Sequence, residues 1–107
     1  MKFLFAVLLA LSIFANAAIA EEKGVSYGDN PAAGHYCPIH GIRMYCEIYG
    51  SGKPLLMLHG NGGSIKGFRK NIPFFAARYQ VIVADSRAQG KSIDGGDALT
   101  FEMMADD

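Results

Sequence analysis

The chain is 107 residues long, with ten Lys and Arg against ten Asp and Glu, half of its residues hydrophobic, 13 Gly, two Cys and no Trp. That composition fits one globular domain at most and excludes long-range disorder, a collagen-like repeat and a disulfide-dense scaffold. A formal charge of zero without a basic block also argues against nucleic acid as a partner, because binding it non-specifically takes a row of Lys and Arg to displace counterions from phosphates.

In chain order, Lys2 precedes the apolar run Phe3 to Phe14 and then Asn16-Ala17-Ala18-Ile19-Ala20. A basic start, an apolar stretch and the small pair Ala18 and Ala20 read as a signal peptide over residues 1–20, cut after Ala20, so the mature chain is expected to be secreted or periplasmic. The rival reading is an uncleaved anchor, since Phe3 to Ala20 approaches the roughly 18 apolar residues that begin to suffice for a span. Ser12, Asn16 and the cleavage site speak against it. Lys2 leaves with the peptide, so the mature net charge is −1. No stable membrane insertion is expected after cleavage.

Residues 21–34 are rich in Gly, Ser, Asp, Asn, Pro and Ala without apolar periodicity, the composition of a flexible N-terminal arm. The domain is expected over 35–107. From Tyr36 to Tyr49, two apolar-rich runs flank His40-Gly41, and Ile42, Met44, Cys46 and Ile48 alternate with Arg43, Tyr45, Glu47 and Tyr49, a β-hairpin signal. After the break at Gly50 to Pro54, Leu55-Leu56-Met57-Leu58 has strand length and reads as a strand buried on both faces. The glycine cluster His59-Gly60-Asn61-Gly62-Gly63 follows, closed by Ser64 as a helix N-cap. Ile65, Phe68, Ile72, Phe75 and Ala76 recur at helical spacing, with Pro73 restarting or kinking the run and Phe74 beside it. Val81-Ile82-Val83-Ala84 is a second buried strand ending in Asp85. Strand, turn, helix, strand is a βαβ unit, which makes the two apolar strands parallel. A polar stretch from Ser86 to Asp97 leads to a helix opened by Thr100 as N-cap, with Glu102 in its first turn, Leu99 and Met104 as a hydrophobic staple, and Met103 and Met104 turned to the core. No Gly or Pro closes that helix before Asp107, so the chain reads as cut off within it.

This ordered set resembles the N-terminal part of an α/β-hydrolase: a hairpin, a strand ending in His59-Gly60 with a glycine-rich loop, a helix, and a strand ending Asp85-Ser86-Arg87-Ala88-Gln89-Gly90-Lys91-Ser92. The likeness covers Tyr36 to Asp107. The family's turn reads Asp-x-Arg-Gly-x-Gly-x-Ser, so Ala88 departs from it where the pattern has Gly. The fold class implied is α/β, a partial α/β-hydrolase sheet truncated before the nucleophile elbow. The resemblance also implies a role for the loop. Acyl transfer places negative charge on a carbonyl oxygen, and backbone N–H groups held ready stabilise it. By position, the oxyanion-hole donor is the backbone N–H of Asn61, with Gly60 and His59 shaping the loop and His59 not acting as the base. The competing reading of Gly60 to Gly63 is a plain strand-to-helix turn.

Gly24-Val25-Ser26-Tyr27-Gly28 matches Gly-x-Ser-x-Gly in letters only, because Ser26 has no apolar strand before it and no helix after it. The family's nucleophile, acid and histidine fall beyond Asp107, so no triad is present and the chain alone is expected not to turn over esters. The resemblance makes the parent a secreted or periplasmic serine-type hydrolase of a small-molecule ester or similar acyl bond. Epoxide and haloalkane hydrolases, which use an Asp nucleophile on the same scaffold, stay open. The alternative is a non-catalytic secreted binding protein on a truncated α/β scaffold, for which the unfilled sheet edge beyond Val81 to Ala84 would have to be covered.

No cofactor is implied. Gly90-Lys91-Ser92 is no phosphate loop, since Asp85 stands where that motif begins with Gly; Gly50-Ser51-Gly52-Lys53 fails likewise, with Glu47 leading and Pro54 following. His35, Cys37, His40 and Cys46 have metal-ligand chemistry but match no common zinc spacing, so no metal site is expected. With the turn at His40-Gly41, Cys37 lies opposite Met44 and diagonal to Cys46, compatible with a disulfide or with free buried thiols. Asp85 and Arg87 read as ties from the turn to neighbouring backbone rather than as a catalytic pair.

Overall fold

The computed structural model describes residues 24–107, so the signal peptide read over 1–20 lies outside the described residues. Four strands, β1 (Gly34–Ile39), β2 (Ile42–Tyr49), β3 (Lys53–Leu58) and β4 (Tyr79–Ala84), form one sheet in the order β1-β2-β4-β3. β1 and β2 pair antiparallel around His40-Gly41, both at positive φ as a two-residue hairpin turn requires. β3 and β4 pair in parallel, with Leu55 opposite Val81 and Leu58 opposite Ala84, as a βαβ unit does. β2 takes the other side of β4, antiparallel, with Glu47 opposite Val83. The expectation of an open edge at Val81 to Ala84 is therefore corrected. β4 is interior, paired on both sides, and the edges are β1 and β3.

One face of this sheet carries the core. Tyr45, Ile65, Ile72, Val81 and Val83 are buried together, with Tyr27, Tyr49, Met57, Phe68 and Phe75 packed around them. Along β2 the inward row is thus Tyr45, Glu47 and Tyr49, while Ile48 is 36% exposed on the other face. The segment whose composition marks a flexible arm over 21–34 has two residues tied here. The Gly28 amide donates to Glu47 Oε2 at 2.8 Å and the Asn30 amide to Glu47 Oε1 at 2.9 Å.

The helical run between β3 and β4 is not one helix. Ile65–Phe68 forms a 3-10 turn and α1 spans Asn71–Ala76. Gly67 weakens the first half, and in a continuous helix the Pro73 ring would collide with the carbonyl four residues back. Restarting at Asn71 puts Pro73 in the first turn, where its missing N–H leaves no bond unmade. Ser64 takes the extended cap conformation, but its side chain makes no cap hydrogen bond; its carbonyl accepts from the Gly67 amide instead. Ile72 is buried and Phe74 is 71% exposed, so Phe74 leaves the packing stripe. Thr100 does cap α2 (Phe101–Asp106), accepting from the Met103 amide at 3.1 Å. Met103 and Met104 are only half-buried, and no residue of α2 is fully buried.

Leu55 to Leu58 is not buried on both faces: Leu56 is 59% and Leu58 65% exposed. β3 is an edge strand, and among the described residues only α2 approaches its second face, leaving a cleft of about 200 Å³ lined by Met44, Leu56, Leu58, Ala84 and Met104. No described helix is long and apolar enough to cross a membrane.

Cys37 and Cys46 are both free thiols on the hairpin, with Cys37 opposite Met44 and Cys46 opposite His35. Burial first, and then the neighbouring Cys37, push the Cys46 thiol up to about 11. Only the thiolate alkylates, so a thiol raised in this way reacts slowly near neutral pH. Under iodoacetamide followed by peptide mass spectrometry, exposed Cys37 is expected to be labelled first and Cys46 to lag until the chain is unfolded; equal rates would contradict this.

Candidate active site

Because β3 and β4 run parallel and in register, the loops that follow them leave the same end of the sheet, the carboxyl end at which open α/β sheets bind ligands. The first loop is His59-Gly60-Asn61-Gly62-Gly63 and the second runs from Asp85 to Ser92. They are laced together at two points, and a third tie joins the second loop to the turn that follows the first.

His59 is half-buried, and its Nδ1 lies 2.7 Å from the Gly60 carbonyl while its Nε2 lies 2.9 Å from the Ser86 amide. A carbonyl can only accept and an amide can only donate, so these partners assign the proton to Nδ1. Both ring nitrogens are used, and His59 is a strut between the two loops. The Gly62 amide donates to the side-chain oxygen of Gln89 at 2.7 Å. The third tie is Asp85, 1% exposed, whose carboxylate accepts from the Ile65 amide at 2.8 Å and the Lys91 amide at 2.8 Å.

Within the first loop, Gly62 sits at φ +76°, a conformation that disfavours any residue with a Cβ. The Gly63 amide donates to the Gly60 carbonyl at 3.0 Å. The amides of Gly62 and Gly63 are therefore occupied, whereas the Asn61 amide makes no hydrogen bond to the described residues. Asn61 is exposed and, with His59, borders a cavity of about 510 Å³ whose other walls are Leu99, Thr100, Phe101 and Met104. Leu99 and Met104, the staple pair of α2, thus share this wall.

The second loop is held from within. The Ser92 hydroxyl donates to the Asp85 carbonyl at 2.5 Å and accepts from the Tyr45 amide at 2.9 Å, which binds the turn to β2. Ala88, where the family pattern has Gly, adopts φ +60°. Ala88 thus takes a left-handed conformation and bears the strain that Gly would avoid. At Gly90 a Cβ would lie 2.2 Å from the Asp85 carboxylate, so no side chain fits there.

Asp85 and Arg87 do not pair with each other. Arg87 donates through Nε and Nη2 to Asp107, each at 2.7 Å, and to the His40 carbonyl at 3.2 Å. Both side chains of this ion pair are 2% exposed, and the guanidinium holds the Asp107 carboxyl below the usual carboxylate range.

Of the residues read from sequence, His59, Gly60 and Asn61 come together on one loop at the cavity edge. Ser26 does not join them. It is exposed, ahead of β1, accepts a turn bond from the Asp29 amide, and borders a different cavity with Lys66 and Arg69. His35, Cys37, His40 and Cys46 form no metal-binding group among the described residues. The roles of Gln89 and Glu47 escaped the sequence reading, since Gln89 stands at an unspecified position of the Asp85–Ser92 turn, Glu47 is one of the alternating residues of β2, and each acts on backbone distant in sequence.

Residues 53–107 match the model of the alpha/beta hydrolase fold family. Among curated proteins, the chain is 43% identical over 64 residues to a protein from Azorhizobium caulinodans named for carbamate hydrolysis, covering 59% of this chain and 24% of that one. It is 41% identical over 58 residues to a soluble epoxide hydrolase of a Corynebacterium species, covering 54% of this chain and 20% of that one. Among solved structures, an N-formylmaleamic acid deformylase from Pseudomonas putida S16 superposes with a TM-score of 0.65 at 29% identity, over 69% of this chain and 30% of that one. The chain spans about a quarter or less of the length of these two curated relatives. A family match across the βαβ unit and both of its loops, on a sheet of this order, leaves one assignment: the chain belongs to the alpha/beta hydrolase fold family.

Proposed function

We propose that the chain forms the first part of the sheet, and one oxyanion-hole donor, of an exported hydrolase that cleaves an ester or similar acyl bond in a small molecule. The observation that carries this reading is the Asn61 amide: it has no partner among the described residues, on a loop whose next two amides are taken, at the rim of an apolar cavity. Such an N–H, fixed before the substrate arrives, stabilises charge developing on a carbonyl oxygen without reorganising. His59 shapes the loop and leaves the proton transfers to another base, because both of its nitrogens are committed. The names of the relatives, which speak of carbamate and epoxide hydrolysis, support hydrolysis of a small molecule.

The test begins by reading the DNA past the codon for Asp107 and expressing the whole reading frame. Turnover of p-nitrophenyl acetate together with fluorophosphonate labelling is the expected result; labelling without an Asp nucleophile separates the serine-type reading from the epoxide type. A whole product that does not turn over esters, including one that opens epoxides only, overturns the proposal. The 107-residue chain alone is expected to be inert in both assays, and the secreted protein to begin at Glu21 on N-terminal sequencing. The second reading, a non-catalytic binding protein, draws on the open apolar face at Ile48, Leu56 and Leu58. It requires that the 107-residue chain unfold cooperatively by itself.

A further inference from the structure

We infer that Gln89 is a positioning residue for the loop that carries Asn61: its side-chain oxygen holds the Gly62 amide and so fixes the direction of the neighbouring Asn61 N–H. This rests on the acyl-hydrolase reading above. The loop sequence Gly60-Asn61-Gly62-Gly63 has three glycines and is exposed throughout, so its backbone alone samples a wide range of conformations. Two clamps narrow that range. His59 ties the start of the loop to the Ser86 amide at 2.9 Å, and Gln89 ties Gly62 at 2.7 Å, twenty-seven residues away in sequence. Asn61 lies between the clamps.

Both clamps are mounted on one rigid support. The Gln89 amide donates to the Ser86 carbonyl at 3.0 Å, and the Ser92 amide to the Gln89 carbonyl at 3.0 Å, so the clamp residues are consecutive corners of the same turn. Asp85 braces that turn from beneath through the Lys91 and Ile65 amides. A side chain set on a braced turn can aim a second loop, whereas one on a mobile loop cannot.

The Gln89 amide also has a fixed sense. Its partner is an N–H, so the oxygen must face Gly62; the flipped amide would set donor against donor. Its Nε2 is buried and has no partner among the described residues. A buried donor left unmade is an energetic liability, and the turn tolerates it while the oxygen end makes a 2.7 Å bond to the loop. With Gly62 and Gly63 engaged, the Asn61 amide is left without a partner among the described residues. Misplacing such a donor by about 1 Å weakens catalysis sharply, because its stabilisation depends on prior alignment.

The test uses the protein expressed from the whole reading frame, with Gln89→Met, which keeps length and bulk but has no acceptor, and Gln89→Glu, which keeps the acceptor and drops the unpaired N–H. For Met we expect kcat on p-nitrophenyl acetate to fall roughly tenfold with KM within about twofold, and exchange of the Gly62 amide with deuterium to accelerate at least as much. Glu is expected to retain slow exchange at Gly62. Thermal unfolding within a few degrees of wild type for both variants separates positioning from misfolding. Unchanged Gly62 exchange in the Met variant overturns the clamp, and faster exchange with unchanged kcat overturns its role in positioning. A wild-type protein without acyl hydrolysis sinks the underlying reading instead, and Gly62 exchange then shows whether the clamp exists apart from it.

Discussion

Replacing Glu47 by Ala, in the protein expressed from the whole reading frame, is expected to cost about 3–5 kcal/mol of folding stability, read as a large drop in the urea midpoint. Glu47 is 0% exposed, and its two oxygens collect four donors. Oε2 accepts from the Gly28 amide at 2.8 Å and the Tyr49 hydroxyl at 2.7 Å; Oε1 accepts from the Asn30 amide at 2.9 Å and the Tyr45 hydroxyl at 2.8 Å. Truncation strands all four donors and opens a void beneath the core. Each buried donor left without an acceptor costs about 1–3 kcal/mol, and water entering the void recovers part of the sum. The Gln variant is expected to lose less, since one oxygen survives, but its amide N–H₂ must face donors. A loss below about 1 kcal/mol for Ala would show that the segment ahead of β1 is not held through this carboxylate.

The same cluster sets an alkaline limit. Burial, followed by hydrogen bonding to Glu47, holds the phenols of Tyr45 and Tyr49 protonated well above their ordinary value of 10.0. In the unfolded chain both phenols release protons as pH passes 10, while the folded chain keeps them. The unfolded state then binds fewer protons, so stability is intact below pH 10 and declines above it. Tyr49→Phe should flatten that decline.

Asn61→Pro, in the protein expressed from the whole reading frame, is expected to lower kcat by about 10²- to 10³-fold with little change in KM. Proline deletes the Asn61 N–H, which has no partner among the described residues, and leaves the carbonyl and the following Gly62 amide in place. Asn61→Ala keeps that N–H and should stay within about threefold of wild type, because the role belongs to the backbone. Equal losses from Pro and Ala would instead assign the effect to the Asn61 side chain. Wild-type kcat in the Pro variant would remove Asn61 from the site altogether.

What could be read in the sequence was what local pattern encodes. The hairpin register follows from alternation around His40-Gly41, the parallel pair from two apolar runs bracketing a helical stretch, and the Thr100 cap from a polar residue before a helical run. The clustering of His59, Gly60 and Asn61 was legible through its place after a strand. The rest depends on partners that pattern does not name. Leu55 to Leu58 reads as a doubly buried strand because an apolar run records what a strand can bury, while Leu56 and Leu58 lie uncovered among the described residues. Glu47 looks like a solvent-facing residue of an alternating strand, and only the amides of Gly28 and Asn30 explain why it is buried. Gln89 acts on Gly62 through one side-chain bond, which leaves no periodicity to detect.

The interior place of β4 has a consequence for how the sheet assembles. Val83 pairs with Met57 on one side, 26 residues back, and with Glu47 on the other, 36 residues back. Loop-closure entropy grows only with the logarithm of length, so closing the longer loop costs about 0.3 kcal/mol more than closing the shorter. Neither ladder has an entropic head start worth a measurable delay. β4 is then the strand through which both ladders are joined, and in the protein expressed from the whole reading frame its slowest-exchanging amides should open only when the whole sheet does.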